Sequence, residues 1–287
     1  MRQSGWCMTA IATALMMLVG CAAPMPHVLA NEIHADCSNA WLLHLPGIAG
    51  MRRIDHEMIR GFQAAGYTGK TKIYDWTEND PGLDALVAYK RNHREAEKVA
   101  DQITKQFRAD PHLEIILTGH SGGTGIAVWA LEYLPDDVQV QTVFLLASAL
   151  SPEYDLSRAL RHVRGKVYVF TSPGDSLVLG TGTRLFGTID GIKSDAAGLN
   201  GFVTPKGADK ELYAKLVSEP YQRDWINFGH IGNHIGCMSR AFVANVMAPM
   251  LLKDLAALEP VAQATTQPAA GEEHQAQASA GKSEKKM

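Results

Sequence analysis

Residues 115–125 read IILTGHSGGTG, and the fold follows from this stretch. The run from Leu113 to Leu117 is short, apolar and rich in isoleucine, which is typical of a buried strand. The residues after the glycines, from Ile126 to Leu134, form a helical pattern that Pro135 ends. The stretch therefore predicts a strand, a sharp turn and a helix, with a serine at the turn.

The turn fits the pattern G-x-S-x-G, with Ser121 at its centre and glycines at 119 and 123. A serine on so tight a turn adopts a strained backbone conformation. Side chains two residues before and after it would collide with the adjoining strand and helix, and glycine removes that collision. A strand and a helix around this pattern are the context of a nucleophile elbow. Ser121 is the candidate nucleophile, and a glycine-rich turn with an idle serine is the alternative.

On this motif the chain resembles the α/β-hydrolase family of serine hydrolases, over about residues 38–257. The resemblance implies a mostly parallel central sheet with helices on both faces. It also implies a serine, an acid and a histidine in that order along the chain, and esterase-like or lipase-like cleavage of an acyl bond.

The rest of the chain alternates strand and helix patterns, which indicates a mainly parallel sheet covered on both faces. Further strands are predicted at 40–45, 72–76, 139–147 and 166–172, with a weaker one within 210–221. Helices are predicted at 52–65, 84–108, 155–163 and 239–258. His44, in the first strand, is expected to be structural, because the family places its histidine after the acid.

The family's acid follows a late strand, and Pro173-Gly174-Asp175 directly follows the strand predicted at 166–172. Asp175 is therefore the candidate acid. A turn aspartate that bonds its own backbone is the structural alternative. Asp190, in the glycine-rich stretch that comes next, is the alternative acid.

The family's base lies in the loop before the final helix, where both His230 and His234 qualify. We prefer His234 because it is nearer the start of the helix, and His230 is the alternative base. A pair of zinc ligands at this spacing would need a helix, which Gly232 disfavours, so we expect no metal. The sequence has no phosphate loop of the GxxxxGK[ST] type, and we expect no cofactor.

The family holds the negative oxygen of its intermediate with two backbone amides. One comes from the loop after the first core strand, and the other from the residue after the nucleophile. The matching oxyanion-hole donors are the amides of Ile48 and Gly122. A plain strand-to-helix loop is the alternative for residues 46–50.

Composition limits the other classes of function. The 287 residues carry a formal net charge of -3 and are 46% hydrophobic, with no basic run in the middle of the chain, so nucleic-acid binding is not expected. Residues 38–258 are enough for one large α/β domain. The polar tail at 259–287 lacks aromatic residues and is expected to be disordered.

The N-terminus predicts export. A basic start precedes an apolar run from Ala10 to Val19, which ends in Leu18-Val19-Gly20-Cys21. This ending resembles the bacterial lipobox, so residues 1–20 are predicted to be a signal peptide, Cys21 a lipidated residue and 21–37 a tether. The chain would then be anchored to a bacterial membrane in the cell envelope. An ordinary secretory signal, cut near Ala23 or Ala30, and an uncleaved anchor are the alternatives.

Cys37 and Cys237 would remain in the mature chain. Their positions before the first strand and near the last helix place them at opposite edges of the sheet, so we expect two separate thiols. The functional hypothesis is a serine hydrolase acting on a small-molecule or lipid acyl substrate. The alternative is a non-catalytic envelope lipoprotein that uses the fold for binding or scaffolding.

Overall fold

The structure is a computed structural model that describes residue 33 and residues 35–78, 80–175 and 187–258. The signal peptide at 1–20, Cys21, most of the tether at 21–37 and the tail at 259–287 lie outside the described residues. The predictions made for those segments stay predictions.

The centre of the fold is a sheet of six strands in the order β2-β1-β3-β4-β5-β6, and every neighbouring pair is parallel. The prediction of an α/β fold with a mostly parallel sheet is confirmed. The strands are β1 Ala40–Leu45, β2 Lys70–Ile73, β3 Glu114–His120, β4 Thr142–Leu146, β5 Val167–Thr171 and β6 Leu216–Pro220. The strand that leads into Ser121 is thus an inner strand between β1 and β4.

The helices α1 to α9 complete the described fold. They are α1 Arg53–Ala64, α2 Leu83–Val87, α3 Tyr89–Ala109, α4 Gly123–Glu132, α5 Ser157–Arg161, α6 Ala197–Asn200, α7 Lys210–Tyr213, α8 Arg240–Phe242 and α9 Ala248–Ala256. Short 3-10 helices cover Arg223–Phe228 and Gly236–Met238, and a π-helical segment, Val243–Met247, joins α8 to α9. No helix in the described part of the chain is long and apolar enough to cross a bilayer.

Side-chain alternation along the buried strands divides the core in two. In β4, Val143 and Leu145 pack into one hydrophobic cluster, while Phe144 and Leu146 pack into the other. Helices α2 to α5 contribute to the first cluster, and α1, α8 and α9 to the second. Because successive side chains of a strand point to opposite faces, the sheet is covered by helices on both sides, as the sequence predicts.

Two elements differ from their predicted bounds for local reasons. The second strand ends at Ile73 rather than at 76, because the Asp75 carboxylate accepts hydrogen bonds from the amides of Met51 and Thr77 and turns the chain. The helix predicted at 84–108 is broken at Ala88, whose ψ of 53° is not helical. Asn92 donates its side-chain amide to the Ala85 carbonyl across this break.

The C-terminal half agrees with the sequence in outline. The weakly predicted strand within 210–221 exists as β6, preceded by a helical turn that Asp209 caps. The final helix begins after Ser239, whose Oγ accepts from the Phe242 amide.

Among the described residues there is no disulfide between Cys37 and Cys237, and both side chains are buried. The prediction of two separate thiols is confirmed.

Candidate active site

Ser121 lies on a strained turn between β3 and α4. Its φ is 52°, a left-handed conformation that costs a non-glycine residue free energy. Its amide donates to the Leu146 carbonyl at 2.9 Å, which fixes the turn against β4. A Cβ on Gly119 would lie 2.7 Å from the Gly123 carbonyl oxygen, and a Cβ on Gly123 only 2.2 Å from the Leu45 carbonyl oxygen. Both glycines have the space-saving role that the motif predicts.

The structure brings Ser121, His234 and Asp175 together. The Ser121 Oγ lies 2.9 Å from Nε2 of His234, and Nδ1 of the same ring hydrogen-bonds Oδ2 of Asp175. The Asp175 side chain is 3% exposed and that of His234 is 18% exposed. An ionised carboxylate only accepts hydrogen bonds, so Nδ1 carries the proton and Nε2 is left to accept the serine hydroxyl.

The loops that carry the acid and the histidine are tied to each other. Asp175 lies four residues after the end of β5, and its amide donates to the Ser172 carbonyl at 3.0 Å. The Ser172 hydroxyl donates in turn to the carbonyl of Gly232 in the histidine loop. A Cβ on Gly174 would lie 2.8 Å from that same Gly232 oxygen. The absence of a side chain at position 174 therefore lets the two loops touch.

His230, the alternative base, lies elsewhere. Its ring stacks on Trp225 with the centroids 5.6 Å apart and the planes at 20°, and its Nδ1 accepts from the Gly232 amide at 3.3 Å. Burial lowers its pKa from 6.5 to about 4. It makes no hydrogen bond to Ser121, so it braces the loop from which His234 projects.

Asp190, the alternative acid, is also engaged elsewhere. Its Oδ1 accepts from the Ser151 amide at 2.9 Å, and its Oδ2 accepts from the Ser151 hydroxyl at 2.5 Å. These bonds hold the chain around 190 to the loop after β4. Asp190 therefore holds two loops together, and the carboxylate that bonds His234 is that of Asp175.

The two candidate amide donors lie beside the serine. A Cβ on Gly122 would be 2.6 Å from Cγ2 of Ile48, so the two residues are in close contact. Neither amide donates a hydrogen bond to another residue of the described chain.

A cavity of about 180 Å³ opens at Ser121 and His234. Most of its wall is aliphatic or glycine, and besides Ser121 and His234 its polar side chains are Arg52, Asp55 and His120. The full lining is Gly47, Ile48, Ala49, Gly50, Arg52, Ile54, Asp55, His120, Ser121, His234 and Ile235. The Asp55 carboxylate is already occupied by His44 Nε2 at 2.9 Å and by the Arg52 amide at 2.7 Å. Since Nδ1 of His44 also bonds Thr118, His44 has the structural role expected for it.

Sequence reasoning missed one contact at this site, made by His120. Its Nε2 lies 2.9 Å from the carbonyl oxygen of His234, and the two ring centroids are 4.9 Å apart. Burial, helped by the charge of His234, lowers the pKa of His120 from 6.5 to about 3. The one signal in the sequence was its place next to Ser121 in the motif, which puts it at the same end of β3.

Cys237 lies behind the histidine loop. Burial raises the pKa of its thiol to about 12, with a further contribution from the negative charge of Asp175. At neutral pH it is a protonated thiol, which is a poor nucleophile.

Comparison with solved structures finds similar folds at low identity. An acetylxylan esterase has 10% identity and a TM-score of 0.42, covering 77% of this chain and 97% of that chain. A cutinase from Trichoderma reesei has 13% identity and a TM-score of 0.37 over 77% and 78% of the two chains. The esterase domain of a Rhodothermus marinus protein has 14% identity and a TM-score of 0.41 over 76% and 88%.

No protein-family model and no curated protein sequence matches the chain. Each of these TM-scores is below 0.5.

Proposed function

We propose that the protein is a serine hydrolase that cleaves an ester or related acyl bond through an acyl-enzyme intermediate. The observation that carries the proposal is the continuous chain of hydrogen bonds from Ser121 Oγ through the His234 ring to Asp175. A serine hydroxyl is a weak nucleophile, and an adjacent base that is oriented by a third group activates it. The substrate is a small-molecule or lipid acyl compound.

In the proposed reaction, His234 Nε2 takes the hydroxyl proton as Ser121 Oγ attacks the carbonyl carbon. Asp175 holds the ring in the tautomer that leaves Nε2 unprotonated, and then stabilises the imidazolium that forms. The imidazolium gives its proton to the leaving alcohol, and the acyl group stays on Ser121. A water molecule, deprotonated by the same nitrogen, then releases the acid and restores the serine.

The amides of Ile48 and Gly122 are the proposed donors to the oxygen that becomes negative during both attacks. Fixed donors aimed at developing charge cost little reorganisation, and one such donor contributes roughly 3–4 kcal/mol in a studied protease. The cavity of about 180 Å³ is smaller than the roughly 300–1,000 Å³ of typical ligand pockets, which favours a short acyl or alcohol group next to the bond that breaks.

Hydrolysis of p-nitrophenyl acetate and butyrate tests the proposal. Ser121→Ala should lower kcat by at least about a thousandfold, and His234→Ala should lower it by a comparable factor, because triad members act as a unit. Combining the two substitutions should add little to either. Ser194→Ala is the matched control, because this serine does not line the cavity and its hydroxyl donates to the carbonyl of the neighbouring Asp195.

Equal rates for the wild type and Ser121→Ala, with both proteins folded by circular dichroism, would contradict the hydrolase. That result would favour the alternative of a non-catalytic lipoprotein that uses the fold for binding.

We further propose that the chain is exported and anchored to the cell envelope through lipid on Cys21. The support is the apolar run that ends in Leu18-Val19-Gly20-Cys21. A single acyl chain gives only marginal anchoring, so the mature terminus should carry more than one. Mass spectrometry of the mature N-terminal peptide should find a lipidated Cys21. An unmodified terminus that begins beyond Cys21 would overturn the assignment.

A further inference from the structure

His120 is a buried histidine that the proposed mechanism does not use. It ends β3 next to Ser121, it is 6% exposed, and its two ring nitrogens face different surroundings. Nε2 lies 2.9 Å from the His234 carbonyl oxygen. A carbonyl can only accept a hydrogen bond, so Nε2 must carry the ring proton.

The other nitrogen, Nδ1, is then a bare acceptor. It makes no hydrogen bond to any described residue, although the side chain lines the cavity at Ser121. A Cβ on Gly47 would lie 3.2 Å from this nitrogen and 3.3 Å from the Cβ of Ser121, so Nδ1 and the serine both lie against Gly47, and all three residues line the cavity. Because burial holds the pKa of His120 near 3, this nitrogen keeps its lone pair at neutral pH.

The surroundings favour a donor from the ligand at this position. The nearby carboxylate of Asp55 is occupied by His44 and by the Arg52 amide, and a carboxylate cannot donate in any case. The rest of the wall is largely aliphatic; besides Ser121 and His234, the exposed Arg52 is its one other donor side chain, and it makes no hydrogen bond to His120 among the described residues. His120 lines the open cavity, where water can donate to Nδ1, and a ligand hydroxyl or N–H group that displaces this water must replace its hydrogen bond.

We propose that His120 acts on both sides of its ring: Nε2–H positions the His234 loop against the elbow, and Nδ1 accepts a hydrogen bond from a hydroxyl or N–H group of the substrate. This inference rests on the proposed hydrolase function and assigns its substrate class as acyl compounds that bear a donor close to the reacting carbonyl. His120 is a positioning residue toward His234 and a binding residue toward the substrate.

Three substitutions separate the two roles. His120→Gln can place an amide N–H where Nε2 lies, so it keeps the donor to His234 and removes the acceptor. His120→Asn can place an amide oxygen near Nδ1 but is too short to reach the His234 carbonyl. His120→Leu removes both groups. Melting temperatures show which variants fold, and the Gln and Asn variants suffice if the Leu variant does not.

The substrates are p-nitrophenyl butyrate and its α-hydroxy and β-hydroxy analogues, which differ from it by one donor. The wild type should prefer at least one hydroxylated ester by about three- to tenfold in kcat/KM, the range of one net hydrogen bond. His120→Gln and His120→Leu should bring that ratio to about one, whereas His120→Asn should retain it. With p-nitrophenyl butyrate, the Leu and Asn variants should have a lower kcat than the wild type and an unchanged KM. The Gln variant should have a kcat close to that of the wild type.

Equal kcat/KM for all three esters in the wild type would overturn the acceptor role. Equal kcat for the Gln and Leu variants on butyrate would overturn the positioning role. Labelling of wild-type Ser121 by a fluorophosphonate separates these failures from failure of the hydrolase itself. A labelled, active enzyme without the hydroxyl preference refutes only the inference, whereas an unlabelled, inactive wild type refutes the proposed function as well.

Discussion

His120, His230 and His234 lie on the elbow or in the loop before the final helix, and their surroundings give them different roles. His120 and His230 are 6% and 2% exposed, and burial lowers the pKa of both. Only His234 joins a carboxylate on one ring nitrogen to a serine hydroxyl on the other. Because His120 and His230 stay neutral at neutral pH, neither ring carries a positive charge that would oppose protonation of His234.

Burial of neutral histidines should make the fold sensitive to acid. The pKa of His230 is about 4 in the folded chain against an ordinary 6.5, so between these values the unfolded chain binds more protons. This contribution to stability is fully present above pH 6.5 and is lost as the pH falls toward 4. His230→Phe keeps a ring against Trp225. It should reduce the number of protons taken up on unfolding in this pH window by about one, and so make the free energy of unfolding less dependent on pH.

Urea denaturation at a series of pH values between neutrality and acid measures this slope. The wild-type chain, measured in the same series, is the reference. An unchanged slope in His230→Phe would show that His230 titrates normally in the folded protein.

Among the elements, the elbow depends on close contact between the β1 carboxyl end and the first turn of α4. Gly123→Ala would place a methyl group 2.2 Å from the Leu45 carbonyl oxygen, and a backbone atom at the end of a central strand cannot move aside. We expect a loss of roughly 1–3 kcal/mol in unfolding free energy, or more, together with a displaced Ser121.

Gly125→Ala provides the comparison within the same helix. Its methyl group would lie 2.5 Å from Cγ2 of Ile189, so this buried side chain must move but no strand backbone need do so, and alanine favours a helix by about 1 kcal/mol over glycine. Chemical denaturation of both variants should rank Gly123→Ala as clearly less stable. Similar stability for the two would mean that contact with the Leu45 carbonyl does not constrain the elbow.

The elbow was also the element most readable from the sequence, because strand, glycines, serine and helix are consecutive. The candidates Asp175 and His234 came from the resemblance, which places the acid after a late strand and the base before the final helix. The contact of His120 with the His234 carbonyl joins residues 114 positions apart, and no local pattern encodes it. The end of β2 at Ile73 and the break at Ala88 depend on side-chain hydrogen bonds of Asp75 and Asn92, which periodicity does not reveal.

At the scale of the whole molecule, Leu255 is the last residue along the chain that belongs to either hydrophobic cluster. The sequence after about Glu259 has no aromatic residues, and ordering it would cost backbone entropy of about 1–2 kcal/mol per residue without burial in return. Truncation there should change the melting temperature by less than about 2 °C, as for other changes outside a core. Differential scanning calorimetry of the two chains is the measurement. A fall of many degrees would indicate that the tail packs on the domain.

The most direct test of the central claim is to locate the adduct formed with a fluorophosphonate. After reaction and proteolysis, tandem mass spectrometry should find the phosphonyl group on Ser121, and the adduct should be lost in Ser121→Ala and strongly reduced in His234→Ala. His230→Ala should still label, because its ring does not contact the serine. No adduct in the folded wild type, or an adduct at Ser121 that forms as fast in His234→Ala as in the wild type, would contradict activation of Ser121 by His234.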